Sequence, residues 1–157
     1  MIKSPLNYTG GKYKLLPQIL PLFPKENEYT TFVDLFCGGC NVAVNIHGKP
    51  VVANDYSTQL IDIYKYFQET GKEQVYKDIY ETIDKYKLSK TNKEGYIALR
   101  SEYNKTKDIK LLYVLICFSF NNQIRFNSKG GYNMPFGTDR SSFNSALEER
   151  LGLFIDG

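Results

Sequence analysis

The sequence predicts an α/β fold in which a small, Rossmann-like parallel sheet is followed by a helical and hairpin subdomain. Three observations predict it. First, a short apolar run rich in β-formers, Thr31-Phe32-Val33-Asp34-Leu35-Phe36, closes on Gly38-Gly39, the pattern of a buried strand entering a tight turn. Second, another such run, Pro50-Val51-Val52-Ala53-Asn54-Asp55, ends on a carboxylate. Third, beyond Ser57 the apolar period becomes helical, and over residues 121–137 the composition shifts abruptly to Asn, Gly, Arg and aromatics.

The elements follow in order. Residues 7–12 form a polar, Gly-containing segment, and a helical stretch through Leu15, Ile19 and Leu20 is kinked or restarted at Pro17. The first strand comes next, then a short helix over Asn41–Ile46 and the second strand. Leu60, Ile61, Tyr64 and Phe67 recur at helical spacing, and another helix is expected over Gln74–Tyr86. Thr91-Asn92-Lys93-Glu94 reads as a capping box, with the Thr hydroxyl and Glu carboxylate satisfying free amides at the start of a helix carrying Tyr96, Leu99, Arg100 and Tyr103. Leu111–Phe120 is too apolar to be anything but a buried helix or strand. A loop or hairpin with Ser128-Lys129-Gly130-Gly131 at its tip follows. The tail carries a weak helical pattern from Phe143 to Leu151 and a last apolar triplet, Leu153-Phe154-Ile155.

Composition bounds the function without choosing it. The 157 residues suit one compact domain. A net charge of +3 permits nucleic-acid binding without demanding it. The 13 Tyr and 10 Phe could stack on bases or simply fill a core. No run approaches the roughly 20 apolar residues of a membrane span, and Met1-Ile2-Lys3-Ser4-Pro5 lacks the apolar stretch of a secretion signal, so a cytoplasmic location is expected. Cys37, Cys40 and Cys117 are too few for a disulfide framework. The single His and the distant Cys117 do not supply the four ligands of structural zinc, so no metal is expected. Cys37-Gly38-Gly39-Cys40 fits a redox pair loosely, but the glycines have another explanation.

That explanation is the turn. Glycines between a strand and a helix let the backbone fold tightly and approach a ligand without a Cβ in the way. Asp55, about 20 positions beyond Asp34, stands at a strand end where a carboxylate can accept ribose hydroxyls. The turn is not the dinucleotide pattern G-x-G-x-x-G. A plain αβ turn, with Asp55 as a helix cap, would also produce these residues.

Four segments taken together narrow the reading. Asn7-Tyr8-Thr9-Gly10-Gly11-Lys12, Phe32-Val33-Asp34-Leu35-Phe36-Cys37-Gly38-Gly39, Ala53-Asn54-Asp55 and Tyr132-Asn133-Met134-Pro135-Phe136-Gly137 resemble successive motifs of Dam-type DNA adenine methyltransferases, the T-even phage versions most. The resemblance spans about residues 3–137. It implies a methyltransferase sheet and an S-adenosylmethionine pocket in which Tyr8 and Lys12 come from the first motif, Asp34, Phe36 and Gly38 from the Gly-rich strand end, and Asp55 accepts the ribose. It also implies a hairpin presented to double-stranded DNA. There Arg125 is the candidate base reader, Asn121, Asn122 and Asn127 touch bases or phosphates, Met134 or Pro135 presses into the stack, and Lys129 and Arg140 contact phosphates. A site containing GATC is implied by resemblance alone.

One expected part is missing. Amino-methylation in this family uses Asp-Pro-Pro-Tyr or a close variant, yet none of the six prolines is adjacent to another. The tail after Arg140 also departs from the resemblance. The expectation is therefore a cofactor-binding part over residues 1–56, a target-recognition subdomain over 57–140, and a truncated return toward a catalytic domain over 141–157. No catalytic residue is assigned. The chain would be a shortened enzyme, one half of a split enzyme working with a C-terminal half or a full-length methyltransferase, or a non-catalytic binding remnant. A sheet deprived of later strands would expose an apolar edge.

Overall fold

The computed structural model describes residues 1–157. Strands β1 (Phe32–Asp34) and β2 (Val51–Ala53) form a two-stranded parallel sheet in which Phe32 faces Val51, Val33 faces Val52 and Asp34 faces Ala53. Pairing continues past the strand ends, because the Asn54 amide donates to the Asp34 carbonyl at 2.9 Å and the Cys37 amide to the Asn54 carbonyl at 2.8 Å. The turn after β1 is thereby tied to the end of β2. The helix expected over Asn41–Ile46 is a single 3-10 turn, Ala43–Asn45. Asn41 and Asn45 spend their side chains on other backbone, which competes with helix formation.

The helical stretch through Leu15, Ile19 and Leu20 is present and restarts near Pro17, in three short pieces. Helix α1 (Leu16–Ile19) has Pro17 in its first turn and lies between two 3-10 turns, with Pro21 inside the second. Proline is tolerated where its missing amide would be unpaired anyway, so two prolines four residues apart permit only short helical pieces.

The remaining helices are regular. Helix α2 (Thr58–Thr70) is separated from α3 (Lys72–Tyr86) by Gly71, whose φ of +79° makes the reversal. Helix α4 (Lys93–Thr106) is capped one residue later than expected. Asn92, not Thr91, is the N-cap, and its Oδ1 accepts the Gly95 amide at 3.0 Å. The apolar run that could have been helix or strand is α5 (Ile109–Phe118), started by the Asp108 carboxylate accepting the Lys110 amide at 3.1 Å. Leu112 through Phe118 are all buried because α2, α3 and α4 pack around this helix. A helix covered on every side shows no apolar stripe, which is why periodicity did not identify it. The tail forms α6 (Ser145–Asp156), longer than its sequence pattern indicated and packed on α3. No helix is long and apolar enough to cross a membrane.

The main core joins α2–α5 to Tyr132, Met134 and Phe136 of the returning loop and to Leu147 and Leu151 of α6. A second, small cluster of Cys37, Cys40 and Ala43 sits at the turn after β1. The segment 119–136 is a loose hairpin, bridged at Ser119–Phe136 and Phe126–Tyr132. It is fastened to α4 by Asn104, which donates to the Tyr132 carbonyl at 2.9 Å and accepts the Tyr132 amide at 2.7 Å. By contrast, Val33, Leu35 and Val52 of the sheet region are each more than half exposed.

One polar cluster lies among the core helices. Asp78, 7% exposed, accepts the Tyr66 hydroxyl at 2.6 Å and the Gln74 amide at 2.8 Å, with Lys110 at 4.0 Å. Removing one donor from a buried carboxylate exposes its desolvation cost, so Tyr66→Phe is expected to lower stability by about 1.5–3 kcal/mol in urea denaturation. An unchanged midpoint would show that water or Lys110 replaces the hydroxyl.

Candidate functional site

An open cleft of about 530 Å³ lies between the loop Tyr8–Lys12, the C-terminal end of β1 and the turn that follows it. That volume suits a ligand of nucleoside size. Tyr8, Lys12, Asp34, Phe36, Gly38 and Asp55 all line the cleft, so motifs distant in sequence meet around one space.

Gly38 is the centre of the arrangement. Its amide donates to Asp55 Oδ2 at 2.9 Å, and its carbonyl accepts the Tyr64 hydroxyl at 2.5 Å. Its φ is +46°, and a Cβ placed there would lie 2.9 Å from Cδ1 and Cε1 of the Tyr8 ring. Tyr8 therefore lies against the glycine face, and only glycine satisfies both the backbone angle and the contact. Asp55 holds a second amide, accepting from Ser57 at 2.9 Å. Its carboxylate thus links the Gly-rich turn to the start of α2 and keeps lone pairs for a ligand.

The loop bearing Tyr8 is positioned from below. Asn41 Oδ1 accepts the Ser4 amide at 3.0 Å, and Asn45 accepts the Ile2 amide and donates to the Ile2 carbonyl, each at 2.7 Å. Sequence reasoning missed these two asparagines and Tyr64. Tyr64 was read only as a helix-face aromatic, whereas the Asn pair at one-turn spacing was a visible signal without an identifiable partner. Lys12 points back to its own loop, donating to the Gly10 carbonyl at 2.6 Å. Phe36, 81% exposed, stands at the mouth.

Electrostatics give the cleft a negative bias, since its charged lining is Lys12, Asp34 and Asp55. Burial raises the pKa of Asp34, and the Asp55 charge adds to that rise against the backbone amides of Ala43 and Phe36. Burial, then the Asp55 charge, raises the Tyr8 phenol, and burial raises the Tyr64 phenol well above its usual range. Both phenols remain protonated donors at neutral pH.

The hairpin divides the candidate DNA-contacting residues into two kinds. Asn122 donates to the Cys117 carbonyl at 2.6 Å and closes the end of α5. Asn127 accepts the Lys129 and Gly131 amides at 3.0 and 2.8 Å and shapes the tip. Met134 is a correction: it is 6% exposed and belongs to the main core, so it is withdrawn from any base stack, while neighbouring Pro135 is exposed. Asn121, Arg125, Lys129 and Arg140 are exposed. Arg125 is braced by Asn133, donating Nε to its Oδ1 at 2.8 Å and Nη2 to its carbonyl at 2.7 Å. Asn121 and Asn122 both have positive φ, 54° and 51°. The hairpin also touches the cleft's loop, because Asn7 Nδ2 donates to the Asn121 carbonyl at 2.8 Å.

These features define a class. The chain belongs to the D12 class N6 adenine-specific DNA methyltransferase family, whose sequence pattern matches residues 8–156. The match includes α6, so the tail after Arg140 conforms to the family, contrary to the sequence expectation. The chain is 50% identical over 155 residues to the type II methyltransferase M.FokI of Planomicrobium okeanokoites, covering 99% of this chain and 24% of that protein. It is 47% identical to the modification methylase StsI of Streptococcus sanguinis, covering 98% and 23%. It is 30% identical over 138 residues to the DNA adenine methylase of Escherichia coli K12, covering 84% and 46%. The chain spans about a quarter of the length of the first two relatives.

Gly38→Ala tests the centre of the cleft. Left-handed backbone costs a non-glycine residue about 1–2 kcal/mol, and the Tyr8 contact adds to that cost. In a Tyr8→Ala background the same substitution should cost less, leaving the backbone part. Equal costs in a double-mutant cycle followed by thermal denaturation would show that Tyr8 does not press on the turn.

Proposed function

We propose that these residues are the cofactor-holding and DNA-reading portion of an adenine N6-methyltransferase that acts on double-stranded DNA. The observation carrying this reading is the meeting of Tyr8, Gly38 and Asp55 around one negatively biased cleft. S-adenosylmethionine fits its chemistry. Asp55 has acceptor capacity for ribose hydroxyls, Tyr8 or Phe36 can cover adenine or face the sulfonium through a cation–π contact, and Gly38 and Gly39 let the Tyr8 loop lie close against the turn. Lys12 can leave the Gly10 carbonyl for the ligand carboxylate. When bound, the cofactor supplies an electrophilic methyl group.

The same reading divides the chain into a cofactor part over 1–56, a target-recognition part over 57–140 and a return over 141–157. The small cluster of Cys37, Cys40 and Ala43 packs against Ile61 and Tyr64 of α2 and Phe154 of α6, so the three parts share an interface. We also read β1 and β2 as the beginning of a Rossmann-like sheet, with the exposed, paired Val33 and Val52 on a face that further elements would cover. On the hairpin, Arg125 reads a base edge, held in orientation by Asn133. Asn121 and Pro135 stand at the DNA surface, Lys129 and Arg140 contact phosphates, and Asn122 and Asn127 act through the loop's shape.

The transfer itself needs groups that these 157 residues do not contain. The adenine amine has its lone pair delocalised into the ring and is a poor nucleophile. A carboxylate and a proline carbonyl that accept its hydrogen bonds would hold the nitrogen in line with the methyl group, and positioning of this kind lowers a barrier by several kcal/mol. With labelled S-adenosylmethionine and a GATC-containing duplex, the chain alone is expected to transfer nothing measurable. Addition of a separately expressed segment bearing Asp-Pro-Pro-Tyr is expected to restore transfer. Activity from the chain alone would overturn the assignment of the chemistry, and silence in both arms would favour a binding-only remnant.

Cofactor binding should depend on pH in a defined direction. A cationic ligand favours ionised Asp34, whose pKa burial raises. Affinity is therefore full at neutral pH and falls on acidification, beginning above the ordinary carboxylate range, and Asp34→Asn should remove this dependence in calorimetric titrations. Asp55→Ala should weaken binding by about 1–3 kcal/mol. A flat pH profile in the parent chain would exclude Asp34 from the ligand's surroundings.

DNA binding should be weak and salt-sensitive. Arg125→Ala is expected to flatten preference among duplex sequences, while Lys129→Ala weakens all of them alike. Uniform loss for Arg125→Ala in anisotropy titrations would remove it as a base reader.

A further inference from the structure

We propose that Cys37 and Cys40 are a reversible thiol-modification site, closing an intrachain disulfide inside the turn that lines the cofactor cleft. The consequence for the cleft rests on the cofactor reading above, but the disulfide does not. The two cysteines are the ends of a four-residue turn closed by the Cys40 amide donating to the Cys37 carbonyl at 2.7 Å. Such a turn brings its end Cα atoms within about 7 Å, which overlaps the separation a disulfide spans. Both residues between them are glycine, so no Cβ obstructs the ring, and Cys40 itself holds a φ of +59°, unusual for a side-chain-bearing residue. Both thiols pack in one small cluster with Ala43. Cys37 is part of the cleft lining and Cys40 is not.

The chemistry of the pair is asymmetric. A hydrogen bond from Cys40 lowers the Cys37 pKa against burial and the charges of Asp34 and Asp55, while the same bond, together with burial, raises Cys40. Cys37, the one of the two that lines the cleft, is the attacking group. Cys117 is fully buried within α5, away from the pair, and burial raises its thiol to about 12.

The oxidant is a small disulfide, RSSR, able to enter the cleft. Cys37 thiolate attacks one sulfur and expels RS⁻, forming a mixed disulfide. The departing RS⁻ takes the Cys40 proton, and the Cys40 thiolate attacks Cys37 Sγ and expels the second RS⁻. Two protein thiols are oxidised and one RSSR is reduced to two RSH. The new bond ties Cys37 Sγ to Cys40 and fixes the backbone on both sides of Gly38, whose amide and carbonyl are already held by Asp55 and Tyr64. The expected result is a turn that no longer fits the cofactor.

The experiment uses the 157-residue chain with cystamine, whose cationic ends suit the negative cleft, and dithiothreitol as reductant. Mass spectrometry should show the loss of two hydrogens and a peptide linking Cys37 to Cys40, both reversed by reduction. S-adenosylmethionine affinity should fall by about fivefold or more on oxidation and recover afterwards. Cys40→Ala should stop at a single adduct on Cys37, and Cys117→Ala should behave like the parent. Absence of the linked peptide would overturn the site, and a linked peptide with unchanged affinity would overturn its effect on the cleft. A reduced chain that fails to bind counts against the cofactor reading, whereas the linked peptide decides the disulfide independently.

Discussion

The hydrogen bond between the Gly38 amide and Asp55 is the constraint on which the site depends. It joins the turn after the first strand to the end of the second, and Tyr64 and Tyr8 close on the same glycine from two further directions. A two-stranded parallel sheet of three-residue strands has little intrinsic stability. Here its geometry is fixed by side chains from outside the sheet: Asp55 beyond β2, Tyr64 on α2, and the asparagine pair that fastens residues 2–4. The cleft is consequently a product of the junction between sheet and helices, not of the sheet alone.

Much of the fold could be read from the residues because local pattern and global packing agree. Phe32-Val33-Asp34 and Val51-Val52-Ala53 became strands, and α2, α3 and α4 lie where their apolar spacing placed them. The six cleft residues proposed from the motifs do surround one cavity. What could not be read was long-range pairing. Nothing local in Tyr64 reveals that its hydroxyl reaches Gly38, and nothing in Asn41 or Asn45 reveals the backbone of Ser4 and Ile2. Thr91 and Asn92 are both good caps, and the choice between them depends on how the chain leaves α3.

The loop 119–137 shows how a polar composition can conceal structural roles. Its asparagines suggested a contact surface, yet Asn122 closes α5 and Asn127 builds the tip. Met134 sits in the core, where the Tyr96 hydroxyl and Arg100 both donate to its carbonyl, at 2.7 and 3.2 Å. What remains outward is smaller and better oriented than the composition suggested: Arg125 braced by Asn133, with Asn121 and Pro135 nearby in sequence.

The bond from Asn7 to the Asn121 carbonyl carries a thermodynamic consequence. It connects the loop framing the cleft to the first residues of the hairpin, so a ligand that orders one loop reduces the entropy left to lose in the other. Linkage makes this reciprocal: whatever occupancy of the cleft contributes to grip on the hairpin side, occupancy of the hairpin returns to the cleft. The strength of that coupling then becomes a property of one side-chain amide, and two ligands need not touch to influence each other.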